Sequence, residues 1–360
     1  MIKNPITISL CMIVKNEEST IARCLDSIKG IADEIIIIDT GSTDNTKKIL
    51  EQYTTCVYDF PWIDDFSAAR NFAFSKATKD YIFWLDADDI VTLENKQALK
   101  RLKHTMKQDI DAISMKYCLT FDEQGNPAHY IKRYRLVKRE RNFQWHGVVH
   151  EYLAVYGNLM DTEINIIHKK DKPYTNRNLK IYEKLMANGK ELDARDTYYY
   201  ANECKDHKEY EKAIIWYNKF LTGEQGWDED NIQACLKLSE CQLQLKQDKQ
   251  AIITCFQSFL YDNPRAEICC QLGEIFLNLQ EYTKSIHWYQ TALLADKPTN
   301  SPIVNEACYT WLPHIKLCIG YSYIKEYKKA EYHNEQASIY LPNHTSIAHN
   351  KAYFREILSK

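Results

Sequence analysis

Tyr81-Ile82-Phe83-Trp84-Leu85-Asp86-Ala87-Asp88-Asp89 decides how this 360-residue chain is read. An apolar, aromatic run ends abruptly in three carboxylates within four positions. Such a run reads as a buried strand, because its alternate side chains pack on both faces of a sheet. The carboxyl end of a strand is where open α/β sheets bind ligands. Carboxylates crowded together repel one another unless something positive lies between them. A divalent cation with oxygen ligands answers that need, and a nucleotide diphosphate commonly completes its coordination.

The flanking segments alternate between strand and helix signals. Ile6–Val14 reads as a strand, and Glu17–Lys29 as a helix with Ile21, Cys24, Leu25 and Ile28 on one face. Glu34–Asp39 is an apolar strand ending in Asp39. The turn Thr40-Gly41-Ser42-Thr43-Asp44 follows, then a helix carrying Ile49 and Leu50. Cys56–Tyr58 is a short strand, and Ser67 is expected to cap a helix running through Ala77. This βαβαβ order predicts a mainly parallel sheet with right-handed crossovers. Ala112–Phe121 and Tyr130–Val137 read as strands joined by a turn at Asp122–Pro127, an antiparallel extension of the sheet.

The second half shows helical patterning only, and it repeats. Ala201, Tyr210, Ala213, Tyr217 and Phe220 recur as Ser239, Asp248, Ala251, Cys255 and Ser258. They recur again as Gly273, Tyr282, Ser285, Tyr289 and Ala292, at shifts of 38 and 34 residues. A shortened copy runs through Gly320, Tyr323, Tyr327, Ala330, Ala337 and Pro342. The tetratricopeptide period is about 34 residues. A plain helical bundle is the simpler alternative, but whole patterns recur rather than single positions. Such arrays present a concave groove, commonly for peptides. The expected division is residues 1–170, a connection at 171–192, and a helical-repeat domain at 193–360.

Composition narrows the class. Lys and Arg number 46 against 49 Asp and Glu, a net charge of −3, so no global field points to nucleic acid. The 12 cysteines include no Cys-x-x-Cys pair, which argues against a zinc site. Cys204, Cys235, Cys241 and Cys255 fall at apolar helix positions and read as reduced core residues, implying a cytoplasmic protein. The apolar run Ile6–Val14 is too short to span a bilayer, and Lys15-Asn16-Glu17-Glu18 follows with no small-residue cleavage site. No transmembrane segment is expected.

Several side chains are candidates for chemistry. Asp-x-Asp alone is common on solvated surfaces; after a buried strand it reads as a cation site, with Asp88 and Asp86 as ligands or Asp86 on ribose hydroxyls. Asp39 ends its strand before a glycine-containing turn, where a carboxylate can serve as turn cap or accept from a nucleobase or ribose. Met12–Glu18 places polar groups beside it. Neither Gly-x-Gly-x-x-Gly nor a P-loop is present, which disfavours dinucleotide and P-loop chemistry. Arg70, one turn into its helix, suits a diphosphate, or surface ion pairs. In Trp145-His146-Gly147-Val148-Val149-His150-Glu151, His150 is a candidate third metal ligand and Glu151 a candidate general base.

Met12–Glu18, Asp33–Thr46, Asp65–Asn71, Asp80–Asp89 and Arg135 through Glu151 together resemble the family 2 glycosyltransferases with the GT-A fold, a Rossmann-like α/β architecture. The resemblance spans roughly the first half of the chain in the expected order. It implies a nucleotide-diphosphate sugar donor, UDP-glucose at the family level, a divalent cation (Mn2+ or Mg2+), and inversion at the anomeric carbon. Carried over, Asp39 contacts the base, Asp86 the ribose or diphosphate, and Arg70 the diphosphate. Val14, Asn16, Glu17, Ser42 and Ala87 line the same nucleotide-sugar site. Asp88, with Asp86 and His150, holds metal. Glu151 is the base, with Asp89 a competitor. Asp65-Phe66-Ser67, Ala69-Arg70-Asn71, the His-Gly-x-Val-His-Glu block and the trailing repeats further resemble sublancin-type peptide glycosyltransferases, which modify Cys or Ser of bacteriocin precursors.

Three other readings compete. One is a glycosyltransferase acting on cell-envelope glycan or a lipid-linked sugar, which a basic amphipathic segment would favour. Another is a peptide-binding scaffold with a degenerate catalytic domain, which the intact acidic run argues against. A nucleotidyltransferase would want a Gly-rich basic loop near the N-terminus, and Lys15-Asn16-Glu17-Glu18 is neither. Homodimerisation through the helical half is a further expectation.

Overall fold

The computed structural model describes residues 5–121, 127–169, 175–298 and 304–359. The turn expected at Asp122–Pro127 lies, apart from Pro127, outside them. The chain divides into two compact units, Met1–Ile181 and Tyr182–Lys360.

In the first unit the elements run β1 (Ile8–Val14), α1 (Ile21–Ser27), β2 (Glu34–Asp39), α2 (Thr46–Leu50), β3 (Val57–Asp59), α3 (Phe66–Lys76), β4 (Tyr81–Trp84), β5 (Asp89–Ile90), α4 (Leu93–Thr105), β6 (Ala112–Phe121), β7 (Pro127–Lys138), β8 (Trp145–His146), β9 (Tyr152–Leu153), β10 (Leu159–His168) and α5 (Arg177–Ala187), whose last residues enter the second unit. Among the described residues one sheet has the order β3-β2-β1-β4-β7-β6-β10-β5, and β8 pairs with β9 separately. β1 pairs in parallel with β2 and β4, β2 with β3, and β6 with β10; the β4–β7, β6–β7 and β5–β10 pairings are antiparallel. The mainly parallel sheet with an antiparallel extension is therefore the one the sequence predicts.

Alternation along the strands feeds two cores. Leu10, Met12 and Phe83 pack with Ile21 and Leu25 of α1 and Leu99 of α4. Cys11, Ile36, Ile38 and Trp84 pack with Ala73 and Phe74 of α3 and with Trp145. Register then sets the site. Val14 lies opposite Asp39, and Cys11 lies opposite Trp84, so the ends of β1, β2 and β4 share one rim.

Two local expectations change. α1 begins at Ile21, because residues from Glu17 form a turn in which the Glu17 carbonyl accepts from the N–H groups of Thr20 and Ile21. The cap of α3 is Asp65, whose carboxylate accepts the Ala68 N–H at 2.9 Å; Ser67 lies inside the helix and donates to Asp65 at 2.8 Å. Carboxylate and hydroxyl are both good caps; here the carboxylate holds the cap position and the hydroxyl supports it.

The second unit is a series of helix pairs: α6 (Ala194–Asp206) with α7 (Tyr210–Thr222), α8 (Asp228–Gln244) with α9 (Asp248–Gln257), α10 (Ala266–Asn278) with α11 (Tyr282–Leu294), and α12 (Trp311–Tyr323) with α13 (Tyr327–Tyr340). α14 (Thr345–Leu358) follows. The recurring Tyr210, Asp248, Tyr282 and Tyr327 each open the second helix of a pair. Two residues before each, Lys208, Lys246, Gln280 and Lys325 have φ of 63°, 58°, 61° and 63°. The next N–H in each turn bonds back five residues, Glu209 to Cys204, Gln247 to Gln242, Glu281 to Phe276 and Glu326 to Tyr321. This is the Schellman closure of a helix, built four times on non-glycine residues. Small residues sit where the paired helices meet. A Cβ at Gly273 would lie 2.8 Å from the Tyr289 ring.

Candidate active site

Two loops build one side of the rim. The N–H of Asn16, at φ 55°, donates to Ser42 Oγ at 2.9 Å, and its side-chain carbonyl accepts the Thr43 N–H at 2.7 Å. The Glu17 N–H donates to Thr46 Oγ1 at 2.7 Å. Val14 fixes the base of this lacing, its carbonyl accepting from the N–H and hydroxyl of Thr40. Asp39 is buried between the loops. Its Oδ2 accepts the N–H groups of Gly41 and Ser42 at 3.1 and 3.0 Å, with Lys47 Nζ 3.5 Å away. Its Oδ1 is buried with no hydrogen-bond partner among the described residues. A buried acceptor in that state is costly unless a ligand donor reaches it.

The acidic loop forms the other side. The Asp86 N–H donates to Asp89 Oδ2 at 2.9 Å and the Asp89 N–H to the Asp86 carbonyl at 3.0 Å, so the loop closes on itself around Ala87 and Asp88. Asp89 is fully buried, and Arg135 Nη1, also fully buried, lies 3.0 Å from its Oδ2 and 4.0 Å from Asp86 Oδ2. Arg135 stacks on Trp84 at 3.8 Å and on Tyr117 at 4.5 Å. Burial works to raise the Asp86 carboxyl, but the guanidinium groups of Arg70 and then Arg135 outweigh it and hold Asp86 well below the usual carboxylate range.

Asp88 differs. Burial, then the neighbouring charges of Asp86 and Asp89, push it up to about 6 against the pull of His168. His168 ends β10 and lies opposite Asp89 of β5. Its Nδ1 is 3.6 Å from Asp88 Oδ1 and 3.8 Å from Asp89 Oδ1, and it shares a 2.6 Å hydrogen bond with the Tyr117 hydroxyl. Asp89, then Asp88, raise its pKa against burial. Among the described residues, Asp88, Asp89 and His168 are the ligand-type group whose donor atoms all lie within 4.8 Å of one another.

Sequence reasoning named His150 for that position. In the structure His150 has φ 51°, lies on the loop after Gly147 next to Glu151, and is outside this cluster. His168 was missed, although its signal resembles that of β4: an apolar strand, Ile166-Ile167, ending in a polar group. Glu151 accepts from Arg70 Nε at 2.5 Å, and Arg70 Nη2 donates to Asp86 Oδ1 at 2.7 Å. Asp89, the competing base, has one oxygen bound to Arg135 and to the Asp86 N–H. The loop before Glu151 is tied to α3: Asn71 exchanges two hydrogen bonds with the Trp145 backbone, and the Phe66 N–H donates to the Val148 carbonyl.

Residues 9–156 match the model of the family described as glycosyl transferase family 2, and residues 266–299 that of the tetratricopeptide repeat. The chain is 37% identical over 144 residues to a TPR repeat-containing protein of Synechococcus elongatus, covering 40% of this chain and 34% of that one. It is 27% identical over 280 residues to the SPbeta prophage-derived glycosyltransferase SunS of Bacillus subtilis, covering 71% and 62%. This chain thus spans less than two thirds of the length of either relative. A solved glucosyl-3-phosphoglycerate synthase of Mycobacterium tuberculosis is similar at 16% identity and a TM-score of 0.36, over 52% of this chain and 81% of that one, a likeness too slight to bear on activity. The match to glycosyl transferase family 2 thus covers residues 9–156, and in this chain it is followed by the tetratricopeptide match at residues 266–299.

Proposed function

We propose that this chain is an inverting, divalent-cation-dependent glycosyltransferase that moves a hexose from a nucleotide-diphosphate sugar, UDP-glucose first among candidates, to Cys or Ser of a peptide. One observation carries the reading: Asp88, Asp89 and His168 converge after β4, whose end shares a rim with the end of β2 that carries the buried Asp39. Two carboxylates and an imidazole suit Mn2+ or Mg2+ in partial coordination, with diphosphate oxygens completing it. The fit is supported by Asp89 Oδ1, a buried acceptor with no hydrogen-bond partner among the described residues and 3.8 Å from His168 Nδ1, and by the charge crowding that lifts Asp88. When bound, such a cation offsets the charge that grows on the departing diphosphate.

The chain's own groups do the rest. Asp39 Oδ1 takes an N–H of the base or a ribose hydroxyl, with Val14, Asn16, Glu17 and Ser42 shaping the slot. Asp86, held ionised, orients the ribose or diphosphate beside Ala87. Glu151 has one oxygen on Arg70, and its other oxygen has no hydrogen-bond partner among the described residues; that oxygen takes the acceptor proton. A thiol, with a pKa of about 8.5, needs this base less than a hydroxyl does. The peptide acceptor is supported by the tetratricopeptide match and by the general use of such arrays.

The test is nucleotide release from UDP-, GDP- and dTDP-sugars, with and without manganese, followed by Cys- and Ser-containing peptides as acceptors. One donor should turn over in a cation-dependent way, and Asp88→Ala should cut that turnover at least about a hundredfold in a folded protein. Full activity in Asp88→Ala, or turnover indifferent to chelation, would overturn the cation role.

A further inference from the structure

Arg70 carries more structural constraint than a ligand-binding arginine needs. It is only 7% exposed. Nε is held by Glu151 at 2.5 Å and Nη2 by Asp86 at 2.7 Å. Its guanidinium carbon lies 4.9 Å from the Trp84 ring and 4.8 Å from the Trp145 ring. Those two indoles meet edge to face with centroids 4.7 Å apart, so the guanidinium sits in the notch of a T-shaped pair. Trp84 is pinned by its indole N–H on the Tyr134 carbonyl at 2.7 Å, and the Trp145 backbone by its reciprocal bonds with the Asn71 side chain. Glu151 and Asp86 come from segments 65 residues apart and have no direct bond to each other. Arg70 is the rigid fork between them. Nη1 is the one guanidinium nitrogen without a partner among the described residues.

We infer that Arg70 is a positioning residue: it fixes Glu151 against Asp86, setting the acceptor-side carboxylate at a constant distance from the donor-side one, and does not bind the diphosphate. This rests on the glycosyltransferase reading above and replaces the role the sequence suggested for Arg70. A planar five-donor fork stacked on aromatic faces is what lysine cannot reproduce, because an ammonium carries no two-edged geometry. Arg70→Lys therefore keeps the charge and loses the alignment. Misplacing a catalytic group by about 1 Å is enough to cost about a hundredfold in rate.

The measurement is calorimetric binding, in MnCl2, of whichever of UDP, GDP and dTDP the wild-type protein takes best, together with the matching nucleoside. The ratio of the two dissociation constants isolates what the diphosphate contributes. If Arg70 positions Glu151, the ratio in Arg70→Lys stays within about twofold of wild type. Release of nucleotide from the sugar donor then falls as far as in Glu151→Gln, and the double variant falls no further, because both changes break one unit. A ratio that collapses about tenfold or more, the cost of a lost charge-assisted contact, would overturn the inference while leaving the functional reading intact. So would additive losses in the double variant. Glu151→Gln keeps the test alive if Arg70→Lys does not fold. Freed of its carboxylate partner, a diphosphate-binding Arg70 would tighten the diphosphate selectively, whereas a positioning Arg70 leaves the ratio unchanged. A wild-type protein that binds none of the three nucleotides would remove the functional reading and this inference together.

Discussion

The two units bury polar groups in opposite ways. In the first, charge is buried: Arg135 and Asp89 are fully inaccessible, Arg70 nearly so, and Asp39 is sealed beneath its turn. In the second, buried polar groups are mostly neutral, Asp196 and Glu203 apart, and several find partners within their own pair of helices. The Tyr217 hydroxyl donates to Asn202 at 2.6 Å, and Ser285 Oγ donates to the Gly273 carbonyl at 2.8 Å. Its cysteines are buried thiols, and desolvation pushes Cys235 and Cys255 up to about 12. A neutral buried group needs one good hydrogen bond; a buried charge needs a counter-charge and further donors, and still costs desolvation. The first unit keeps this expensive arrangement at the rim where the proposed donor site lies. The described repeats of the second are held by apolar packing and by hydrogen bonds between neutral groups.

That contrast can be broken. Its largest expected consequence is at Arg135. Arg135→Met keeps the volume but strands Asp89 without its counter-charge, and should destabilise the first unit by about 3–5 kcal/mol in chemical denaturation. A loss below about 1 kcal/mol would mean that the buried charge is not a structural keystone. Next is Gly273→Ala, a change of one methyl in the neutral unit. The new Cβ would press on the Tyr289 ring, which is itself buried, so a loss of about 1–3 kcal/mol is expected with manganese and nucleotide binding unchanged.

The third consequence has the opposite sign. Asp88 is penalised by burial and by its acidic neighbours, so Asp88→Asn should abolish manganese binding yet stabilise the metal-free protein by about 1–2 kcal/mol at neutral pH. Its raised pKa means the folded wild type holds a proton that the unfolded chain has lost between pH 3.8 and about 6. Wild-type stability from this group therefore rises on acidification, and the advantage of Asp88→Asn shrinks as the pH falls below about 6. Thermal melts in chelator across that range decide it; an advantage independent of pH would assign the effect to packing. The smallest effect is on affinity. Manganese must displace the Asp88 proton, so its apparent affinity should weaken by up to about tenfold per unit below pH 6 and level off above it.

Much was legible in the sequence where the signal is local. The apolar run before Asp86, the alternation of strands with helices, and the recurrence of Tyr210, Asp248, Tyr282 and Tyr327 are periodicities of backbone geometry, and they marked the architecture of both units. Asp39 and Asp86 were recognisable because a polar group ending an apolar strand stands out in any register. The Schellman turns were not, since they use Lys208, Lys246, Gln280 and Lys325 rather than glycine. His150 drew attention through its neighbour Glu151, while the histidine that meets the carboxylates comes from the far end of β10.

By itself, then, the chain determined which elements form and which of them end in carboxylates, because these follow from side-chain period and from where apolar runs stop. Only the tertiary structure decided which of those groups meet. His168 reaches Asp88 through the β5–β10 pairing, Arg135 reaches Asp89 through the β4–β7 register, and Arg70 finds both Asp86 and Glu151 from the side of α3. Such encounters depend on strand order and register across dozens of residues, which no local pattern encodes.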